Sequence, residues 1–311
     1  MREPLTKVLE LFDVTKVFGA TRAVDSASFA VRPGRICGLL GRNGAGKTTT
    51  LRMVNGIFLP DRGRIELFGG EPRAAARDRI GYLPEERGLY KKMKVFEQLL
   101  FFAEIKRRRP AEVRKSAQHW LSRLELAPLA QARLEELSKG NQQKVQLVAA
   151  LLHEPELLIL DEPLSGLDPV NVVLVRHILK DLARAGRAIL LSTHQMGEAE
   201  KLVDEIVLIH EGRVVLAGDL EQIRRSTGQN TLHLGFEGDG LSLSHAPGVE
   251  RASVQTCTAE LTLAAGADPQ RVLEYLVPRL RIRRFEVASP SLEEIFIERV
   301  GRETLVAEAA S

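Results

Sequence analysis

The residues of this chain best placed to do chemistry begin with Gly41-Arg42-Asn43-Gly44-Ala45-Gly46-Lys47-Thr48-Thr49, which fits G-x-x-x-x-G-K-[ST] at every defined position. In such a loop, backbone N–H groups and the positive end of the helix that follows cradle phosphate. Gly41, Gly44 and Gly46 let the backbone curl closely around the anion. Lys47 would reach the β- and γ-phosphates of a nucleotide, and the Thr48 hydroxyl would bind Mg²⁺. Far downstream, Leu157-Leu158-Ile159-Leu160-Asp161-Glu162 places two carboxylates after four apolar residues. That is the pattern of a buried parallel strand with acids at its C-terminal end, where ligands bind in open α/β sheets. Paired carboxylates by themselves also suit a plain metal site.

These residues need a scaffold, and its parts are legible. Arg35 to Leu40 is a short apolar strand before the loop, and Thr49 to Asn55 opens a helix after it. Val8 to Phe12, Ala23 to Val31 and Gly63 to Phe68 read as antiparallel strands flanking the phosphate-loop strand. Phe18 falls in a loop between the first two, where an exposed aromatic can stack on a base or simply pack. Ile80 to Leu83 is a strand followed by Pro84-Glu85-Glu86. Apolar residues at helical spacing then run over Val95 to Ile105 and Glu112 to Leu126, with His119 and Trp120 at the edge of this packing. The basic run Lys106 to Arg109 suits a helix C-terminus, with Pro110 as its stop. Ser138 is a natural N-cap for a helix through Leu152. A turn at Ser165 to Pro169, a helix from Asn171 to Ala185, a buried strand from Ala188 to Leu191 ending in Ser192-Thr193-His194, and a hairpin through Glu211-Gly212 complete this part. After a linker at 224–230, Thr231 to Phe236 and Val254 to Leu263 read as strands. Asp268 to Arg279 reads as a helix, Arg281 to Val287 as a strand, and Ser291 to Arg299 as a helix capped by Ser289 or Ser291.

Bulk properties bound the class. The 311 residues are 44% hydrophobic and 27% charged, and suffice for one large core plus a smaller domain. Net charge is only +3 and forms no long basic block, so no nucleic-acid partner is expected. Two cysteines, Cys37 and Cys257, make neither a disulfide framework nor a metal site. No apolar run nears the roughly 18 residues that span a bilayer, and Met1 to Thr6 lacks the apolar core of a signal peptide. A cytoplasmic location is expected, with any membrane span supplied by a partner.

The order of the motifs says more than any one of them. A phosphate loop, Leu137-Ser138-Lys139-Gly140-Asn141, four apolar residues plus Asp161-Glu162, Ser165-Gly166-Leu167-Asp168 and a strand ending at His194 together resemble the ATP-binding subunit of ABC transporters. The tail Pro290 to Phe296 resembles the exporter branch that includes sodium-efflux and drug-resistance ATPases. The resemblance implies an α/β fold, a P-loop NTPase of ABC type over residues 6–223: a parallel core sheet, an antiparallel β subdomain and a helical subdomain at about 90–155. A small α+β accessory domain follows at 231–311.

Residue chemistry and resemblance then agree on roles. ATP would be held by Arg42, Asn43, Ala45, Thr49 and the rest of the loop, and the resemblance implies that Phe18 stacks on adenine. Mg²⁺ is held by Thr48, supported by Asp161 and met by Glu85. Glu162 orients and deprotonates the attacking water, and His194 resembles the switch histidine that senses the γ-phosphate. Ser138, Lys139, Gly140 and Asn141 would meet the γ-phosphate held by a second copy, with Asp168 crossing the interface, in an ATP-dependent homodimer or a pair with a related subunit. The family's signature reads L-S-G-G-Q; here Lys139 replaces the first glycine and Asn141 the glutamine. Glu85 stands where the family has a metal-contacting glutamine, with Glu86 the alternative one residue on. The function implied is hydrolysis of ATP to drive transport, outward by the branch, through a separate membrane permease at the inner face of the cell membrane. The alternative is a soluble ATPase of this type acting on the ribosome or DNA. Such proteins usually carry two cassettes or a long coiled coil; this chain shows one phosphate loop and no heptad array.

Overall fold

The computed structural model describes residues 6–86, 88–106, 109–227, 231–264, 266–288 and 290–309. The chain forms two compact units, Met1–Gly218 and Asp219–Ser311.

The first unit is built on a six-stranded sheet. Its strands are β3 (Ile36–Leu40), β5 (Ile80–Leu83), β6 (Leu157–Asp161), β7 (Ala188–Thr193), β8 (Glu205–His210) and β9 (Arg213–Asp219), in the order β5-β6-β7-β3-β8-β9. The pairs β5/β6, β6/β7, β7/β3 and β3/β8 are parallel. Every residue of β3, β6 and β7 is buried, so these strands read as unbroken apolar runs, not as alternating ones. β9 returns beside β8 through Glu211-Gly212, both at positive φ (46° and 81°), the backbone of a tight hairpin turn.

β1 (Leu9–Phe18), β2 (Thr21–Val31) and β4 (Arg62–Leu67) were expected to flank β3. They form a sheet of their own, antiparallel, in the order β2-β1-β4, the antiparallel β subdomain that the resemblance implies. The alternation of these strands explains this. Leu9, Leu11, Val24 and Phe29 face inward and share one core with Leu39, Leu51 and Leu190 of the main layer. β3 takes its neighbours from parallel strands that are apolar on both faces. β1 also runs to Phe18, so that residue ends a strand and does not sit in a loop.

Helix α1 (Lys47–Val54) follows the glycine loop, and the short α2 (Ala74–Arg77) precedes β5. A helical layer comprises α3 (Val95–Ile105), α4 (Pro110–Arg123) and α5 (Lys139–Leu151), packed pairwise on one another. Val95, Leu99 and Ala103 meet Val113, Ala117 and Leu121 along the expected faces, all buried. Trp120 is buried too, with exposed His119 edge-on to it. Pro110 does not stop a helix but starts α4, where its missing N–H costs nothing and its fixed φ suits the first turn. Arg107 and Arg108 of the basic run lie outside the described residues. Ser138 caps α5, its Oγ accepting from Asn141 N at 3.2 Å. α6 (Pro169–Arg184) and α7 (Met196–Glu200) flank β7 in sequence.

The second unit opens with α8 (Leu220–Thr227), so residues 224–227 of the expected linker are helical; 228–230 lie outside the described residues. A four-stranded antiparallel sheet follows, in the order β11-β12-β10-β13. Its strands are β10 (Thr231–Glu237), β11 (Val249–Val254), β12 (Thr258–Leu263) and β13 (Arg281–Ala288), with α9 (Pro269–Leu276) and α10 (Leu292–Ala309). Of the expected strand Val254 to Leu263, only Thr258–Leu263 is β12; Val254 ends β11, a strand the sequence reading lacks, and Gln255 N bonds Thr258 O (2.8 Å) in the turn between them. Ser291 caps α10, since Glu294 N donates to its Oγ; Ser289 lies outside the described residues.

This unit has a core of its own: Leu232, Leu234 and Phe236 of β10 packed with Leu261, Val272 and Leu276. Leu234→Ala is expected to destabilise it by about 2–5 kcal/mol, the usual cost of emptying a buried leucine site. The reading is faster amide exchange in β10 and β12, and unchanged exchange there would contradict this packing.

Candidate active site

The site forms where β3, β6 and β7 end. Registers place Leu40 beside Thr193 and Asp161 beside Ser192, so β7 lies between the phosphate-loop strand and the acid-bearing strand. Two inter-strand spacings separate loop from acids by about 9–10 Å, room for a phosphate chain.

The glycines of the loop are dictated by close approach. A methyl on Gly41 would sit 2.2 Å from Ile209 O, and one on Gly46 2.3 Å from Ala23 O. Gly46 also has φ 102° and Gly44 φ 80°, backbone that side chains rarely adopt. From this turn, α1 starts at Lys47, which is buried. Its Nζ donates to Gly41 O (2.8 Å) and Arg42 O (3.0 Å), which holds the amine across the mouth of the loop. Burial pulls the Lys47 pKa down; Glu162, Asp161 and Glu85 push it back up.

A cavity of about 410 Å³ is lined by Asn43, Gly44, Lys47, Thr48 and Thr49 on one side and by Glu85, Asp161 and Glu162 on the other. Asp161 is 1% exposed. Its Oδ1 accepts from Ser192 Oγ, while Oδ2 is buried with no hydrogen-bond partner among the described residues. Glu162 is buried as well, and its carboxylate is held by β7. Thr193 Oγ1 donates to Oε2 (3.1 Å), and His194 N (3.1 Å) meets Oε1, as does His194 Nδ1 (2.7 Å). Glu162 takes φ 50°. Successive side chains of a strand point to opposite faces, and the left-handed residue at its end breaks that alternation. Both acids therefore face one cavity.

The structure brings together most, but not all, of the residues singled out in the sequence. Gly41 to Thr49, Glu85, Asp161, Glu162 and His194 converge, and Glu85 lines the cavity where Glu86 does not. A second depression of about 690 Å³ lies on the other side of the loop, between Arg42 to Ala45 and His194, Met196, His210 and Glu211. Phe18 lines neither. It is exposed, edge-on to Phe58 (5.3 Å), with Lys16 Nζ 5.5 Å from its ring. Ser138, Lys139, Gly140 and Asn141 start α5 away from both cavities, against the turn of Gly166 and Leu167. Asp168 is exposed and caps α6 through Asn171 N (3.0 Å).

Four contributors had escaped the sequence reading. Ser192 and Thr193 hold the acids; their only signal was two hydroxyls at the end of an apolar run. Gln143 and Gln146 reach from α5 to the site's backbone. Polar residues on the buried face of an otherwise apolar helix were the available signal.

Fold and site together define a phosphate-loop nucleotide hydrolase. Residues 24–165 match the ABC transporter family model, and 218–300 match that of the ATP-binding protein DrrA1-3-like, C-terminal domain. The chain is 41% identical to the ABC transporter ATP-binding protein YhaQ of Bacillus subtilis (strain 168), over 94% of this chain and 99% of that one. It is 38% identical to the Nod factor export ATP-binding protein I of Paraburkholderia xenovorans (strain LB400), over 95% and 97%. A solved ATP-binding subunit of an ABC transporter superposes with a TM-score of 0.66 at 34% identity, over 71% of this chain and 93% of that one. The chain therefore belongs to the ATP-binding subunits of ABC transporters, proteins that bind and hydrolyse ATP.

Gly46→Ala tests the loop geometry. Positive φ and the 2.3 Å approach to Ala23 O leave no place for the methyl. Binding of a fluorescent ATP analogue should be lost while the circular dichroism of the fold is kept; retained affinity would contradict this backbone.

Proposed function

We propose that this subunit hydrolyses Mg-ATP with Glu162 as general base and passes the resulting motion to a membrane permease. The observation that carries the reading is the Glu162 carboxylate, buried and gripped by Thr193 and His194, across one cavity from Lys47. In this mechanism the loop N–H groups and Lys47 bind the triphosphate, and Arg42, Asn43, Ala45 and Thr49 shape that cradle. Glu162 takes the proton of the water that attacks the γ-phosphorus, and the bond to the leaving ADP oxygen breaks. His194, bonded to the same carboxylate, orients it and reports the γ-phosphate. Phe18, exposed at the end of β1, stacks on adenine.

The residues present fit Mg²⁺. Asp161 Oδ2 is a buried, unpartnered carboxylate oxygen, and Thr48 and Glu85 line the same cavity. When bound, the ion would neutralise charge on the β- and γ-phosphate oxygens. Thr48, Asp161 and Glu85 would hold it.

Two copies pair head to tail on ATP. Ser138 to Asn141, exposed or half-buried at the start of α5, meet the nucleotide of the partner copy, and Asp168 lies at the seam. The positive end of α5 favours an anion there. Among the described residues no helix is long and apolar enough to cross a membrane, so a separate permease supplies the span. We assign the subunit to the inner membrane face and to export, in line with the export named for the Nod factor relatives. The domains are then an ATPase over 6–223 and an accessory domain over 231–311 that steadies or regulates the dimer.

Glu162→Gln should keep Mg-ATP binding and lose turnover by at least about 10²-fold, the usual worth of a general base. With saturating Mg-ATP it should run as a dimer in light scattering, and a protein that stays monomeric would sink the head-to-tail pairing. Tagged wild type from detergent-solubilised membranes should bring down a polytopic membrane protein at near-equal stoichiometry. Ribosomal proteins in its place would favour the soluble alternative.

A further inference from the structure

Helix α5 carries two glutamines three residues apart, Gln143 and Gln146, and both are buried. Gln143 Nε2 donates to Glu162 O (3.3 Å) and Pro163 O (3.4 Å). Gln146 Nε2 donates to Pro84 O and Glu86 O, each at 3.2 Å. Positions i and i+3 share a helix face, so one face of α5 grips the backbone of both acid-bearing segments. The amide orientation is dictated by its partners, since two carbonyls can be met only by the donor nitrogen.

Gln146 brackets Glu85: its two carbonyls belong to the residues just before and just after. Glu85 is an exposed carboxylate on an irregular segment beyond β5, and such a side chain takes its direction from the backbone that carries it. Packing does not explain the choice of an amide here. Gln146 is 4% exposed, and its Oε1 is buried with no partner among the described residues. An apolar side chain of similar shape would avoid that orphaned acceptor. What an apolar residue could not do is hold the two carbonyls.

We propose that Gln146 is a positioning residue for Glu85. It pins the 84–86 backbone to α5 and so sets where the Glu85 carboxylate stands against Thr48 and Asp161, as Gln143 does for the backbone at Glu162. The proposal rests on the reading of Glu85 as a metal-facing carboxylate, and its test separates the two.

The test uses the full chain and a fluorescent ATP analogue, titrated once with EDTA and once with excess MgCl₂. The ratio of the two dissociation constants is the metal-linked gain. In Gln146→Leu the constant in EDTA should stay within about twofold of wild type while the gain falls about tenfold, the size expected when support of a metal-facing group is lost. Amide exchange at Glu85 and Glu86 should quicken. Gln146→Met, which keeps the chain length, should behave alike and guards against a folding failure of the leucine variant. In a Glu85→Ala background Gln146→Leu should have no further effect on the gain, because the two act as one unit. A merely structural glutamine would lower the melting temperature and leave the gain alone. An unchanged gain in both Gln146 variants, or additive effects in the cycle, overturns the proposal. If Glu85→Ala by itself leaves the gain at its wild-type value, the metal-facing reading of Glu85 falls, and this proposal with it.

Discussion

Two adjacent carboxylates held out of water, Asp161 and Glu162, are the constraint around which the ATPase unit is arranged. Burying each costs several kcal/mol unless partners compensate it. The compensation comes from three directions. β7 supplies the Ser192 and Thr193 hydroxyls, the loop beyond it supplies His194, and α1 supplies Lys47. These groups are far apart in sequence and meet only because β7 is inserted between β3 and β6. The strand order thus places the compensation and at the same time opens the gap that a triphosphate needs.

Compensation is deliberately incomplete on one atom. Among the described residues, Asp161 Oδ2 remains buried without a hydrogen-bond partner. An orphaned buried oxygen is costly to a fold that has nothing to bind there. It is economical for one that receives a cation. The left-handed backbone at Glu162 belongs to the same arrangement. It turns the second acid into the cavity of the first.

The helical layer is more than an appendage to this site. α5 begins with the signature residues, buries its apolar face against α3 and α4, and extends two amides to the 84–86 and 162–163 backbones. The backbone that carries Glu162 and the backbone on either side of Glu85 are thereby tied to one helix through hydrogen bonds.

The sequence by itself determined the phosphate loop and the acid-bearing strand. The loop Gly41 to Thr49 declares itself because only glycine tolerates its φ values and contacts, and Leu157 to Glu162 because a strand buried on both faces must be apolar until it reaches the ligand. Helices α3 and α4 were legible from their 3.6-residue apolar spacing, and Ser138 from its capping chemistry. Other elements were not legible. The turn at Gln255 to Thr258 has no glycine or proline to punctuate it, so β12 reads as starting too early and β11 goes unread. Pro110 carries the same chemistry after one helix as at the start of the next. The strand order β2-β1-β4 within the antiparallel sheet depends on partners distant in sequence. Only the tertiary structure decided that Ser192 and Thr193 would stand between loop and acids, and that Gln143 and Gln146 would reach across to them. Hydrogen bonds between groups remote along the chain are set by strand order and helix placement, which local residue patterns do not encode.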